Sequence, residues 1–367
     1  MITAFLIGLG VMCAVVLILT LVILACDATI ANYGPVRIVI NGEREITVQG
    51  GRPLLASLKD HEIFLPSACG GRGSCGMCKV RVLEGAGDPL ATELPWLNAQ
   101  ERKDKIRLSC QVKVKRPLRI EVPRELLQVR QYRTQVIGMR DLTYDIKEVT
   151  LQLAPGERID FQAGQFIQFE VPPYALADEP VYRAYSISSS PAQHDRVELE
   201  IRLVPNGICT TYVHRYLKVG DGVTVNGPYG DFHLQENDRE MICVAGGSGM
   251  APIKSILARL AETGSKRRIR YFFGARTERD LFLVDEMRAL ERTLTDFRFI
   301  PALSAPQDGA AWQGETGLVT AVLERHVTSV ENAEAYLCGS PGMINATVAV
   351  LKKKGMPVER IYFDSFG

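Results

Sequence analysis

The sequence predicts a multidomain chain: an N-terminal transmembrane helix, a small α+β module, an antiparallel β-barrel and an α/β domain built on a parallel sheet. Three observations carry this. The first 26 residues contain no charged side chain. Two alternating runs around an Asn-Gly pair lead into a loop crowded with cysteines. Further on, short strands punctuated by Gly and Pro give way to apolar runs that end in glycine and alternate with helical stretches. At 367 residues the chain exceeds the size at which a single core usually stops growing, so several domains are expected.

The stretch from Met1 to Cys26 is dominated by Leu, Ile, Val, Ala, Met and Gly. About 20 apolar residues in a helix cross a bilayer core of about 30 Å, so this segment is read as a single span over residues 1–26. A cleaved signal peptide, or a lipoprotein signal ending at Cys26, is the alternative. Both normally begin with positive charge, and no Lys or Arg precedes Arg37. Positive charge lies only on the C-terminal flank, at Arg37 and Arg44, which places the bulk of the chain on the cytoplasmic side of the inner membrane. Cys13 and Cys26 read as small apolar residues of the helix, with lipidation of Cys26 left open.

A formal net charge of +1 gives no basic field to attract nucleic acid. Nine cysteines are present, and three of them, Cys69, Cys75 and Cys78, fall within ten residues. Secreted disulfide domains are small and rich in cysteine throughout, so this clustering favours metal over disulfides.

After the turn-rich Asn32-Tyr33-Gly34-Pro35, the runs Val36–Ile40 and Glu45–Val48 flank Asn41-Gly42, a strong hairpin signal. A short helix over 53–58, the cysteine loop and a strand over 78–82 complete a module expected over 34–125. From 130 to 236 the runs 166–171, 197–202 and 223–225 suggest the barrel. From 238 to 367, the apolar runs 241–245, 270–274 and 335–339 each enter glycine, with a helix expected over 253–261, as in a parallel α/β sheet.

In Cys69-Gly70-Gly71-Arg72-Gly73-Ser74-Cys75-Gly76-Met77-Cys78 three thiols lie on a loop of small residues, and Cys110 is a fourth. Glycines let backbone N–H groups turn inward toward anionic sulfur, and four thiolates ligate a 2Fe-2S cluster. The gaps are five, two and thirty-one residues. This differs from the plant-type pattern and resembles vertebrate and bacterial ferredoxins. Tetrahedral zinc is the alternative, although zinc ribbons usually present two Cys-x-x-Cys knuckles and this chain has one.

Arg183-Ala184-Tyr185-Ser186 ends a barrel strand. Its guanidinium suits a pyrophosphate, its ring an isoalloxazine, and its hydroxyl the flavin where hydride arrives. Gly207 and Thr210 stand at a helix start suited to phosphate. Gly246, Gly247, Gly249, Met250 and Pro252 lie in a turn between strand and helix where amides can receive a dinucleotide, although the run is not a full G-x-G-x-x-G. Cys338, Gly339 and Pro341 end a later strand, where open parallel sheets place ligands. Cys338 reads equally as a core thiol or a catalytic one.

This order of segments, closing on Tyr362-Phe363-Asp364-Ser365-Phe366-Gly367, resembles the F subunits of the sodium-translocating NADH:quinone oxidoreductases over the whole chain. Residues 164–188 and 246–341 resemble the ferredoxin–NADP reductase superfamily more broadly. The resemblance implies that Arg183, Ala184, Tyr185, Ser186, Gly207 and Thr210 bind FAD and that Phe366 covers its ring. It also implies that 246–252 and 338–341 hold the nicotinamide nucleotide, with Ser186 and Cys338 flanking hydride transfer. Ser340 stands where a proline is common in the family, and Ser365 where a second aspartate is.

The implied activity is hydride transfer from NADH to FAD and single-electron transfer to the cluster. The implied route leads through other subunits of a membrane respiratory complex to quinone, with sodium translocation a property of that complex. The segment 274–280 mixes acids with arginines and forms no clear 2′-phosphate pocket, which favours NADH, although Arg276 and Arg279 are able to serve NADPH. Two other readings remain. One is the reductase of a multicomponent oxygenase, usually soluble; the other is a non-enzymatic membrane scaffold with a zinc module.

Overall fold

A computed structural model describes residues 2–29, 33–307 and 312–366, and side chains of residues 2–4 and 25–29 are not described. Met1, Asn32, Gly367 and the Cys26 side chain therefore lie outside the described residues. The chain divides into two compact units, Met1–Gln128 and Val129–Gly367.

In the first unit, α1 (Ile2–Thr29) contains an apolar stretch, Phe5–Leu24, of 20 residues that is long and apolar enough to cross a membrane. Among the described residues, no other element covers that stretch. The rest of the unit is a mixed five-stranded sheet made of β1 (Pro35–Ile40), β2 (Arg44–Gln49), β3 (Lys79–Glu84), β4 (Ile106–Leu108) and β5 (Leu118–Glu121), in the order β2-β1-β5-β3-β4. The expected hairpin forms β1 and β2, with Asn41 and Gly42 both at positive φ as such a turn requires. Alternate residues of β1, Val36, Ile38 and Ile40, point into a core shared with Leu54 and Leu58 of α2 (Leu54–Lys59). Past α3 (Ala99–Lys103), β4 leads into Cys110.

A buried ion pair fixes that strand. Glu93 is 0% and Arg107 4% exposed. Arg107 Nη2 donates to Glu93 Oε2 at 2.6 Å, and the Leu108 amide donates to Glu93 Oε1 at 2.9 Å. Arg107 Nη1 also donates to the Gly87 carbonyl at 2.7 Å. Burial works against the charged carboxylate, but Arg107 and the Leu90 and Leu108 amides outweigh it and hold its pKa below the usual range.

The second unit opens with six antiparallel strands: β6 (Arg130–Asp141), β7 (Ile146–Leu153), β8 (Phe166–Val171), β9 (Val181–Ser186), β10 (Arg196–Arg202) and β11 (Gly222–Tyr229). Their order is β10-β7-β6-β11-β8-β9, and an Ile187–Leu199 bridge brings the two edges together, curling the sheet into a barrel around Val149, Phe169, Leu199 and Val225. Helix α4 (Ile208–Arg215) packs beside it.

The chain then changes character. The strands β12 (Glu240–Gly246), β13 (Arg268–Ala275), β14 (Asp296–Leu303), β15 (Glu315–Thr316), β16 (Ala333–Gly339) and β17 (Ile361–Ser365) form a wholly parallel sheet in the order β15-β14-β13-β12-β16-β17. Helices α5 (Met250–Glu262) and α6 (Val284–Thr293) cover one face, and α7 (Val319–His326) and α8 (Pro341–Lys353) the other. The strand order reverses between β12 and β16, which opens a crevice at their carboxyl ends. Helix α5 starts three residues before the expected 253, because proline is tolerated in a first turn whose N–H groups have no helical partner.

Two features hold the second unit together. Lys254 of α5 reaches Glu198 Oε2 (3.0 Å) and Glu148 Oε2 (3.2 Å) on the barrel, and Ser255 Oγ donates to the Ser189 carbonyl (2.7 Å). Glu200 lies across from Glu148 on the adjacent strand, and burial pushes its carboxyl up to about 8. Among the described residues, strand β14 has a strand neighbour on its outer side only at Ala302 and Leu303. Before that pairing, Glu291 Oε1 of α6 accepts the Phe299 N–H (2.8 Å), and Arg288 Nη1 donates to the Phe299 carbonyl (2.9 Å).

Replacing Glu93 by Ala strands the Arg107 charge in the core, and a loss of about 3–5 kcal/mol of stability is expected. Urea denaturation of the purified chain, followed by far-UV circular dichroism, measures it.

Candidate functional site

In the first unit, the segment between α2 and β3 has no regular structure, and Gly70, Gly71, Gly73 and Gly76 all adopt positive φ (67°, 87°, 75° and 68°). Only glycine takes that conformation cheaply, and four such residues fold the segment back on itself. The Gly71 amide donates to Ser67 Oγ at 2.9 Å. Cys78 and Cys110 are buried, and Cys69 and Cys75 half-buried. The Ser109 amide donates to the Cys78 carbonyl at 2.8 Å, which ties the last ligand candidate to the loop.

The four thiols, all free, meet in two pairs. A hydrogen bond from Cys75 pulls the Cys69 thiol down to about 3, and the Cys75 thiol is pushed up in return. Likewise a bond from Cys78 lowers Cys110 to about 7 and raises Cys78. Two thiolates for each of two irons is the donor set of a 2Fe-2S cluster. Among the described residues, no three His, Cys, Asp or Glu side chains group around one point. The buried Ser109 hydroxyl hydrogen-bonds the Cys78 sulfur, a donor of the kind that anionic cluster sulfur can use.

In the second unit, β9 carries Arg183, Ala184, Tyr185 and Ser186. Arg183 Nη1 donates to the Tyr182 carbonyl (2.7 Å), and among the described residues no bond engages its Nε or Nη2, which fits an anionic pyrophosphate. Tyr185 meets Phe169 edge to face at 6.1 Å, and burial pushes its phenol well up. Ser186, 6% exposed, donates from Oγ to Asp364 Oδ2 at 3.3 Å. Gly207 caps α4, where Thr210 Oγ1 accepts the Val204 N–H (3.1 Å), so this hydroxyl closes the turn before the helix.

Gly246, Gly247 and Gly249 lead from β12 into α5, whose first residues are Met250, Ala251 and Pro252. A Cβ on Gly249 would stand 2.3 Å from the Cys338 carbonyl, so only glycine lets this turn and the end of β16 close up. That leaves a strip of backbone at a helix N-terminus, a surface that fits a dinucleotide pyrophosphate. Gly339 is buried, Ser340 Oγ accepts the Met343 amide (3.4 Å) and Pro341 opens α8. Cys338 is 0% exposed and burial pushes its thiol well up, so it is a neutral group at the strand end. The half-buried Phe366 donates its amide to the Gly339 carbonyl at 2.9 Å.

Two residues without an assigned role in the sequence emerge here. Asp364 pairs in register with Cys338 across β16 and β17 and faces Ser186; burial pushes its carboxyl up to about 6, against the pull of that hydroxyl. Arg202 closes β10, pairs with Asp145 (2.8 Å) and comes within 3.3 Å of where a Gly247 Cβ would be. Asp364 stands inside the terminal motif, whereas Arg202 carries no local signal.

Three family models match: a 2Fe-2S iron-sulfur cluster binding domain over 38–115, an oxidoreductase FAD-binding domain over 133–234 and an oxidoreductase NAD-binding domain over 243–349. The chain is 36% identical to the F subunit of the Na(+)-translocating NADH-quinone reductase of Neisseria meningitidis serogroup C, over 98% of both chains. It is 37% identical to the protein of that name in Yersinia enterocolitica, over 96% of this chain and 97% of the other. The chain belongs to the family of these F subunits. Among solved structures, a cytochrome P450 reductase from Amycolatopsis superposes with a TM-score of 0.73 at 28% identity, covering 90% of this chain and 98% of the other. The ferredoxin reductase of a carbazole 1,9a-dioxygenase gives 0.70 at 27%, covering 91% and 98%. With its FAD-, NAD- and 2Fe-2S-binding domains, this member of the family is an oxidoreductase.

An aspartate whose folded pKa is raised binds its proton more tightly in the folded state, so its contribution to stability falls as pH rises from about 4 toward 6. Asp364→Asn is therefore expected to be more stable than wild type at pH 8, with the difference vanishing below pH 4. Thermal unfolding at the two pH values measures it. Cys78→Ser is expected to lose bound iron and the visible absorbance of the cluster while keeping its flavin, read by iron analysis and absorption spectra.

Proposed function

We propose that this chain takes hydride from NADH onto FAD and passes single electrons to a 2Fe-2S cluster, feeding other subunits of a membrane complex that reduces quinone. The observation that supports it above others is the convergence, within one unit, of Ser186, Asp364 and Cys338 beside the Gly246–Gly249 turn. Together with the paired thiols, that arrangement gives one polypeptide an entry for a two-electron donor and an exit for single electrons. A flavin holds one or two electrons, and a 2Fe-2S centre accepts one.

The chain's own residues have definable tasks in this scheme. Arg183 offers a fork of donors to FAD pyrophosphate, and the α5 N-terminus receives that of the nicotinamide nucleotide. Ser186 holds a hydroxyl proton directed at Asp364, and the buried, neutral Cys338 adds no charge of its own at the strand end. Cys69, Cys75, Cys78 and Cys110 are the metal ligands. NADH is preferred because Arg279 is stacked 4.0 Å over the Tyr144 ring, and Asp280 caps its turn through the Thr277 amide and hydroxyl. That occupies one of the two arginines of this segment and adds a carboxylate beside it, leaving Arg276 as the cation a 2′-phosphate would have to use.

Helix α1 anchors the chain, with the remaining domains, at 34–125, 130–236 and 238–367, on the cytoplasmic side of the inner membrane, as the flanking Arg37 and Arg44 favour. A single apolar span offers no ion pathway, so sodium translocation belongs to the assembled complex. The oxygenase-reductase reading draws on the two solved structures, but identity is higher to the F subunits over nearly the whole chain, α1 included.

The test is anaerobic reduction of the membrane-purified chain by NADH, with flavin followed by absorbance and the cluster by EPR. Flavin bleaching followed by a reduced-cluster signal is expected, and bleaching without that signal defeats the electron-splitting role. Ser186→Ala is expected to slow flavin reduction by about 10- to 100-fold, the rate equivalent of one lost buried hydrogen bond. The ratio of kcat/KM for NADH over NADPH is expected to exceed about tenfold.

A further inference from the structure

The cluster loop has a neighbour that none of the ligand assignments uses. Residues Leu90–Leu97 run alongside it as a strap, tied down by the buried Glu93: its Oε2 accepts the Leu90 amide (2.8 Å), and its Oε1 accepts the Leu108 amide two residues before Cys110. At one end of the strap Trp96 lies against Gly76, where a Cβ would stand 2.8 Å from the ring. Toward the other, Thr92 Oγ1 donates to Gln111 Oε1 at 2.9 Å.

Gln111 is engaged at both ends of its amide. With its oxygen held by Thr92, its Nε2 donates to Cys110 Sγ at 3.5 Å. The space it occupies exists because residue 73 is glycine, since a Cβ there would come within 2.8 Å of Nε2. The amide is thus fixed at its oxygen, hemmed in at its nitrogen and aimed at sulfur.

We infer that Gln111, positioned by Thr92, raises the reduction potential of the cluster through its side-chain N–H···S bond to Cys110. This rests on the proposed reading that Cys110 is a cluster ligand. Reduction adds an electron to a centre that four thiolates already make anionic. A donor dipole pointed at one of those sulfurs stabilises the reduced form more than the oxidised one and moves the potential upward. Gln111 acts through Cys110 and is a positioning residue, as is Thr92 one step further out.

The experiment is an anaerobic redox titration of the full chain in detergent. The cluster is followed by EPR and the flavin by absorbance, with iron and sulfide analysed in every sample. Gln111→Met, which keeps the shape and loses the donor, is expected to move the cluster midpoint to a more negative potential with iron content and the flavin midpoint unchanged. Thr92→Val is expected to move it the same way by less, and to add nothing in the Gln111→Met background. Gln111→His, which restores an N–H, is expected to return the midpoint toward wild type. A wild-type midpoint in fully loaded Gln111→Met overturns the inference, as does a flavin shift of equal size or a Thr92→Val shift that persists in the double variant. If Gln111→Met fails to hold its cluster, a wild-type midpoint in loaded Thr92→Val overturns it instead. A wild-type chain without any cluster signal overturns the ligand assignment itself.

Discussion

The second unit depends on a meeting between two strand ends 178 residues apart, where the Ser186 hydroxyl reaches the Asp364 carboxylate. A part-buried hydrogen bond of 3.3 Å ties the two strands to each other. Strand β9 is the last of the barrel sheet and is tied in by the Ile187–Leu199 bridge, while β17 is the last of the parallel sheet and is held in register by β16. The contact joins an antiparallel sheet, which can accept a flat cofactor along its edge, to a parallel sheet, whose carboxyl ends form a crevice. The Lys254 contacts with Glu148 and Glu198 brace the same seam from behind. Chemistry between two bound cofactors needs this kind of double anchoring, because a displacement of about 1 Å at the reacting atoms is costly.

The first unit solves a different problem. Four thiolates repel one another, and the fold brings them together with a loop of glycines whose backbone costs little to bend and with a strand pinned by a buried ion pair. Rigid support behind a flexible-looking loop matters for electron transfer, since a ligand shell that moved on reduction would have to reorganise at every turnover. Thr92, Glu93 and Trp96 all lie on one short strap, so a single stretch of chain braces the loop from the side.

The architecture was largely legible in the sequence because its strongest signals are local. The charge-free start, the Asn-Gly hairpin, the glycine-bracketed cysteines and the shift from alternating to apolar strands each need only a short window. The cysteine spacing was the most informative, since four thiols at those gaps suit very few sites. What stayed hidden depends on long-range pairing. Asp364 becomes a candidate site residue only once β17 lies beside β16, and Arg202 only once β10 ends near Gly247. The Glu93–Arg107 pair and the Thr92–Gln111 bond likewise join residues whose identities alone are those of an ordinary solvated surface. The Thr210 hydroxyl, read in the sequence as a phosphate contact, also accepts the Val204 amide in closing its own turn.

Strand β14 lies near the rim of its sheet, and the α6 side chains Arg288 and Glu291 occupy the outward-facing carbonyl and amide of Phe299. Bare rims of this kind invite a stray β-segment from another polypeptide to zip on. With the proposed α1 anchor, copies of the chain would share a thin layer at high local density, and there such mispairing would be most frequent. Two ordinary surface side chains bent over the rim keep neighbours as neighbours.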